Sequence, residues 1–129
     1  MLENHAMELY QLMAPTVGDP WNKIVLHGSV KATGFQFDFY FRREAEGKFI
    51  KCYDEKPFEE LVQYFMKMAK VCRSAQAETR ELYEKEKIDS EIWTGFTFVL
   101  TSDGDFNIVY EYGEWQAGLS QKWHDKYLC

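Results

Sequence analysis

The chain has 129 residues, with 15 basic and 21 acidic side chains, a formal net charge of −6 and a hydrophobic share of 46%. That length fits one domain, residues 1–129, and buries roughly two thirds of the surface of the unfolded chain. The apolar share excludes a disordered chain, and the acidity repels nucleic acid and attracts basic partners, although ordinary solubility accounts for mild acidity too.

No apolar run approaches the roughly 18 to 20 residues of a membrane span. The opening Met1-Leu2-Glu3-Asn4-His5 has neither a basic leader nor an apolar run, so no secretory signal is expected. Cys52, Cys72 and Cys129 are odd in number and widely spaced. They form neither a disulfide framework nor a metal knuckle, and reduced thiols in a cytoplasm are the simplest reading.

Glu3 to Ala14 reads as a short helix with Ala6, Leu9, Tyr10 and Met13 on one face. Pro15, Gly18 and Pro20 are expected to end it. Trp21 to Lys31 reads as a first strand, apolar on both sides, so its inward face stays open. Phe35, Phe37, Phe39 and Phe41 then alternate with Gln36, Asp38, Tyr40 and Arg42. This is the signature of an antiparallel strand with one wet face. Lys48 to Tyr53 reads as a third, shorter strand with Phe49 inward.

A long helix is expected from Pro57, whose missing N–H costs least in a first turn. Phe58, Leu61, Phe65, Met68, Cys72, Ala75, Thr79 and Leu82 form its apolar stripe, which fades after Cys72. Arg73 to Lys87 is rich in charge and either extends past the body of the domain or bends back. Trp93 to Tyr112 then reads as a hairpin. Phe96, Phe98 and Leu100 share one face, Phe106, Ile108, Tyr110 and Tyr112 repeat the period, and Asp103-Gly104 supplies the turn. We expect this hairpin at the centre of the sheet. Leu119 to Leu128 closes the chain as a short helix with Trp123 and Tyr127 on one side.

The order α-β-β-β-α-β-β-α indicates an α+β fold. It is read as two layers, a mostly antiparallel five-stranded sheet with helices on one face and solvent on the other.

No catalytic motif stands out. His5, His27 and His124 lack zinc spacing, and Asp103-Gly104-Asp105 is better explained as a turn than as a calcium loop. Cys72 on the buried stripe reads as core filler. No metal site and no cofactor are expected. One feature departs from the average: from Ile88 to Gln121 there is no Lys or Arg. That segment holds Asp89, Glu91, Asp103, Asp105, Glu111 and Glu114, which equal the chain's whole net charge. It also presents Trp93, Tyr110, Tyr112 and Trp115. A one-sign surface with aromatics suits a protein partner bearing a basic patch. A solvated hairpin whose aromatics belong to the core is the other reading of the same residues.

Several words of this sequence resemble the YezG-type immunity protein family of bacteria. They are Trp93-Thr94 opening a strand, Ser102-Asp103-Gly104 with Phe106 at its turn, and Tyr110-Glu111-Tyr112 ending the next strand. Trp123 with Lys126-Tyr127-Leu128 at the tail, Trp21-Asn22-Lys23-Ile24, and Phe37 to Phe41 also look like that family. The link between Tyr112 and Trp123 and the long Arg73 to Lys87 stretch depart from it. The resemblance implies an α+β antitoxin of the cytoplasm, encoded beside a polymorphic toxin used against competing bacteria. Such toxins commonly end in a nuclease domain, which the immunity protein binds and blocks without catalysis of its own.

The expected partner is therefore a cognate toxin domain, with no direct nucleic acid and no membrane, and with the chain a monomer or weak homodimer. Charge contacts are expected from Asp103, Asp105, Glu111 and Glu114, and aromatic anchors from Tyr112 and Trp115. Outward Asp38 and Tyr40 extend that surface. Two other readings remain. One is a small-ligand-binding domain or enzyme with a pocket between sheet and long helix, using Cys72 or a histidine. The other is an adaptor that docks through the charged helix after Cys72.

Overall fold

The computed structural model describes residues 3–113 and 120–128. Its elements are α1 (Glu3–Val17), β1 (Lys23–Lys31), β2 (Gly34–Arg42), β3 (Ile50–Lys51), α2 (Cys52–Glu55), α3 (Phe58–Glu86), β4 (Gly95–Thr101), β5 (Phe106–Glu111) and α4 (Gln121–Tyr127). The strands make one sheet in the order β3-β2-β1-β4-β5, and every pair is antiparallel. The α+β class and the order of elements are those expected.

The centre of the sheet is β1, not the β4–β5 hairpin. Its two-sided apolar pattern is the reason. Ile24, Leu26 and Val30 enter the main core, while Val25 joins a second cluster on the opposite face. A strand flanked on both edges and covered on both faces needs apolar side chains on both sides. At Gly28 the two neighbouring rings close in: a Cβ there would stand 2.7 Å from Phe96 and 2.8 Å from Phe37.

On the main face, α1 and α3 cover Phe37, Phe39, Phe41, Phe96, Phe98 and Leu100. The stripe of α3 is buried at Leu61, Phe65, Met68, Cys72 and Ala75, but Phe58 and Leu82 are exposed at its ends. The helix spans 29 residues, about 43 Å at 1.5 Å per residue, so it outruns a nine-residue strand of about 30 Å. Its far half is anchored rather than free. The Gln76 amide donates to Val30 O and Trp93 O, each at 3.0 Å, tying the helix to β1 and to the approach of β4. It stops at Lys87, which adopts φ 55°, with Ile88 N–H closing back on Tyr83 O at 2.8 Å.

Three local expectations change. Pro15 lies inside α1, which runs on to Val17; Gly18, at φ +70°, ends it with its N–H on Ala14 O. A proline near a helix C-terminus loses one backbone bond without stopping the next ones. The third strand is only two residues long, because Cys52 to Glu55 turn into α2, whose start is held by the Lys51 N–H on the Asp54 carboxylate at 3.3 Å. Phe49 packs with Val25, Tyr40 and Trp123 on the face away from α3. That face is also where α4 lies: Trp123 donates its indole N–H to Thr97 Oγ1 at 2.9 Å, and its ring packs on Tyr40 and edge-on to His27. So the two long helices share one face as expected, and the short last helix partly covers the other.

Candidate functional site

The described part of the base-free segment folds into the approach to β4, the β4–β5 hairpin and the start of α4. At the hairpin tip, Gly104 takes φ +95° and Thr101 N–H bonds Asp105 O at 2.9 Å. The Asp103 carboxylate turns back into the loop, accepting from the Thr101 hydroxyl and from Asp105 N–H. Those bonds, the Thr101 hydroxyl foremost, hold its carboxyl below the usual carboxylate range. Asp103 is thus both a turn-former and a fixed negative charge. Asp105 beside it is exposed.

At the other end of β5, Glu111 lies opposite Gly95 and reaches across the sheet to His27, whose Nε2 stands 3.2 Å from Oε2. Tyr112 follows, half exposed. Asp89 and Glu91 are exposed on the approach to β4, and this approach is tied to Glu111 through Thr94 N–H on Glu111 O at 3.0 Å. The structure therefore sets two poles at the ends of β5, Asp103 with Asp105 at one and Glu111 at the other, with Asp89 and Glu91 on the approach that joins Glu111 at Thr94. At about 3.3 Å per residue, β5 sets them roughly 20 Å apart. Among the described residues, no Lys or Arg makes an ion pair with any of these five. A standard interface of about 800 Å² per partner, roughly 30 Å across, reaches both poles.

Asp38 and Tyr40 stand apart from the hairpin, three strands across the sheet on β2. Both are buried on the α4 face. Asp38 sits 3.9 Å from Lys51 Nζ and accepts from the Gln36 amide at 3.4 Å, while the Tyr40 ring lies against Trp123 and His124. Glu114 and Trp115 lie outside the described residues. The His27–Glu111 and Trp123–Thr97 contacts were not anticipated. A signal for the first was present in β1, where the polar His27 and Ser29 share a side with Val25, but nothing local names the partner.

Between the two poles runs the outer edge of β5. The Thr101–Asp105 bond sets the phase of the ladder, so Val99↔Asn107 and Thr97↔Val109 exchange their N–H and C=O groups. Phe106 and Ile108 turn theirs to the outside. On the main face beside this edge, Ala6, Met7, Tyr10, Trp21, Phe98 and Phe106 line an apolar cleft of about 230 Å³.

Chemistry of another kind finds little support. The space between sheet and long helix is filled by Phe37, Phe39, Phe65 and Met68. Burial pushes the thiols up, Cys72 to about 12 and Cys52 to about 11, which is the wrong direction for a nucleophile. Among the described residues, no group of three or more His, Cys, Asp or Glu is placed to hold a metal ion, and no helix is long and apolar enough to cross a membrane.

Comparison with known proteins agrees with this reading. The family described as Immunity protein YezG-like matches residues 5–128. The Immunity protein YezG of Bacillus subtilis (strain 168) is 24% identical over 116 residues, covering 83% of this chain and 73% of that protein. Immunity proteins neutralise a toxin by binding it and are not enzymes. With the match running over nearly its whole length, the chain belongs to the YezG-like immunity protein family.

Proposed function

We propose that this immunity protein neutralises a nuclease domain of a polymorphic, contact-dependent toxin by covering the basic surface that holds nucleic acid. In this reading it acts in the cytoplasm as one domain, and the base-free segment is its binding surface. Asp103 and Asp105 form one charged pole, Glu111 the other, and Tyr112 is an exposed aromatic anchor. Glu114 and Trp115, adjoining in sequence, belong to the same proposed surface. Asp38 and Tyr40 are nearly buried, so an extension of the surface to them needs them uncovered.

The observation that carries the reading is electrostatic. The chain's whole net charge lies in a segment without one Lys or Arg, and the described carboxylates there make no ion pair with a Lys or Arg, Glu111 meeting only the His27 ring at 3.2 Å. A nuclease site binds phosphates through basic groups and backbone donors, so carboxylates fit the same places.

The test uses a catalytically inactive form of the toxin domain encoded beside this gene, bound to a fluorescent oligonucleotide. Adding the immunity protein should release the oligonucleotide in proportion to complex formed. A stable ternary complex of toxin domain, oligonucleotide and immunity protein contradicts the covering mechanism.

A further inference from the structure

We infer that the outer edge of β5 is a strand-addition site, at which the toxin contributes an extended, basic segment as a sixth strand of this sheet. The inference rests on the immunity reading and specifies how its surface is used. It starts from main-chain groups rather than from charge. Phe106 and Ile108 turn N–H and C=O outward, and no described residue takes them up. An edge of this kind is a template for pairing with another chain.

The opposite edge is closed by its own chain from Phe37 to Phe41. Carrying the ladder alternation across β1 points the groups of Phe37 and Phe39 outward from β2. There the Phe39 amide stands close enough to the Cys52 thiol to favour its ionised form, the Tyr53 hydroxyl donates to Phe37 O at 3.5 Å, and β3 pairs with Tyr40 and Phe41. From Phe37 onward this edge is stopped, whereas Phe106 and Ile108 on the other meet no described residue.

Charge selects the occupant. A second copy added antiparallel would bring the Asp105 end of one β5 against the Glu111 end of the other, and a parallel copy would align like with like. Like charges opposite one another destabilise strand pairs. A strand with Lys or Arg near both ends meets opposite charge at each pole instead. Its alternate side chains would lie beside exposed Val109 on one face and beside Phe106 and the apolar cleft on the other. The partner strand should accordingly be basic at its ends and alternate apolar with polar between them.

The test is amide hydrogen exchange on the full chain, with and without the same inactive toxin domain. The Phe106 and Ile108 amides should slow by about tenfold or more in the complex, while Phe39 on the closed edge should not change. Ile108→Pro removes one outward N–H and leaves the β4-facing groups of Asn107 and Val109 in place, since proline is tolerated on an edge strand. If folded, that variant should bind the toxin domain about tenfold or more weakly; if it does not fold, the exchange pattern of the native chain decides. Protection elsewhere in a complex that still forms overturns strand addition and leaves the immunity reading standing. Protection that grows with protein concentration, without toxin, assigns the edge to a second copy and also overturns it. Failure of any complex to form overturns both.

Discussion

At its β2 side the sheet ends in a strand that from Phe37 onward lies against Cys52, Tyr53 and a two-residue β3, with Phe65 packed behind them; at its β5 side it ends in a strand whose outward groups at Phe106 and Ile108 meet no described residue. The two sides also differ in charge. Lys51 and Arg43 accompany the closed edge, each with a carboxylate partner, Asp38 at 3.9 Å and Glu55 at 2.9 Å. Acids flank the open edge, and among the described residues no Lys or Arg pairs with them. A sheet edge left open is a hazard that proteins manage. Closing one with local structure while flanking the other with like charge fits an edge kept for a basic partner.

The comparison can be broken most severely from beneath. Phe65 is buried with ring centroids 5.9 Å from Phe37, 6.2 Å from Phe39 and 6.2 Å from Tyr53, so it supports both the strand and its stop. Phe65→Ala should cost about 3–5 kcal/mol in chemical denaturation. A loss under about 1 kcal/mol, below the usual range for a buried ring, would mean that the closed edge does not depend on the core behind it.

A smaller change sharpens the contrast. Cys52→Ala with Tyr53→Phe removes both local stops and should cost about 1–2 kcal/mol together. More tellingly, the Phe39 amide, slow in the native chain, should exchange nearly as fast as that of Ile108. If Phe39 stays protected in the double variant, the stop lies elsewhere.

Much of the fold was legible because its signals are local. The Phe35 to Phe41 alternation, the stripe from Leu61 to Ala75 and the Asp103-Gly104 turn each declare an element within a few residues. The place of β1 was legible in principle, since Val25 beside Ile24 and Leu26 marks a strand buried on both faces, but period alone points to no neighbour. The site was harder for the same reason. The charge asymmetry of 88–121 is plain in the sequence, yet its division into two poles depends on which strands pair. His27 and Glu111 meet across 84 positions of chain. Asp38 and Tyr40 alternate away from the main core as expected and are nonetheless buried, Tyr40 under Trp123 of the returning α4 and Asp38 beside Lys51 and Gln36.

The claim on which the rest depends is that the acidic poles beside the open edge meet a basic surface of the toxin. The direct measurement is the affinity of the inactive toxin domain for the native chain and for Asp103→Lys with Asp105→Lys, each across a range of salt concentrations. The account predicts that the reversal weakens binding by about tenfold or more at low salt and flattens the salt dependence, because rim and pole charges act through a screened field. Equal affinity and an unchanged salt slope in the two proteins would contradict it.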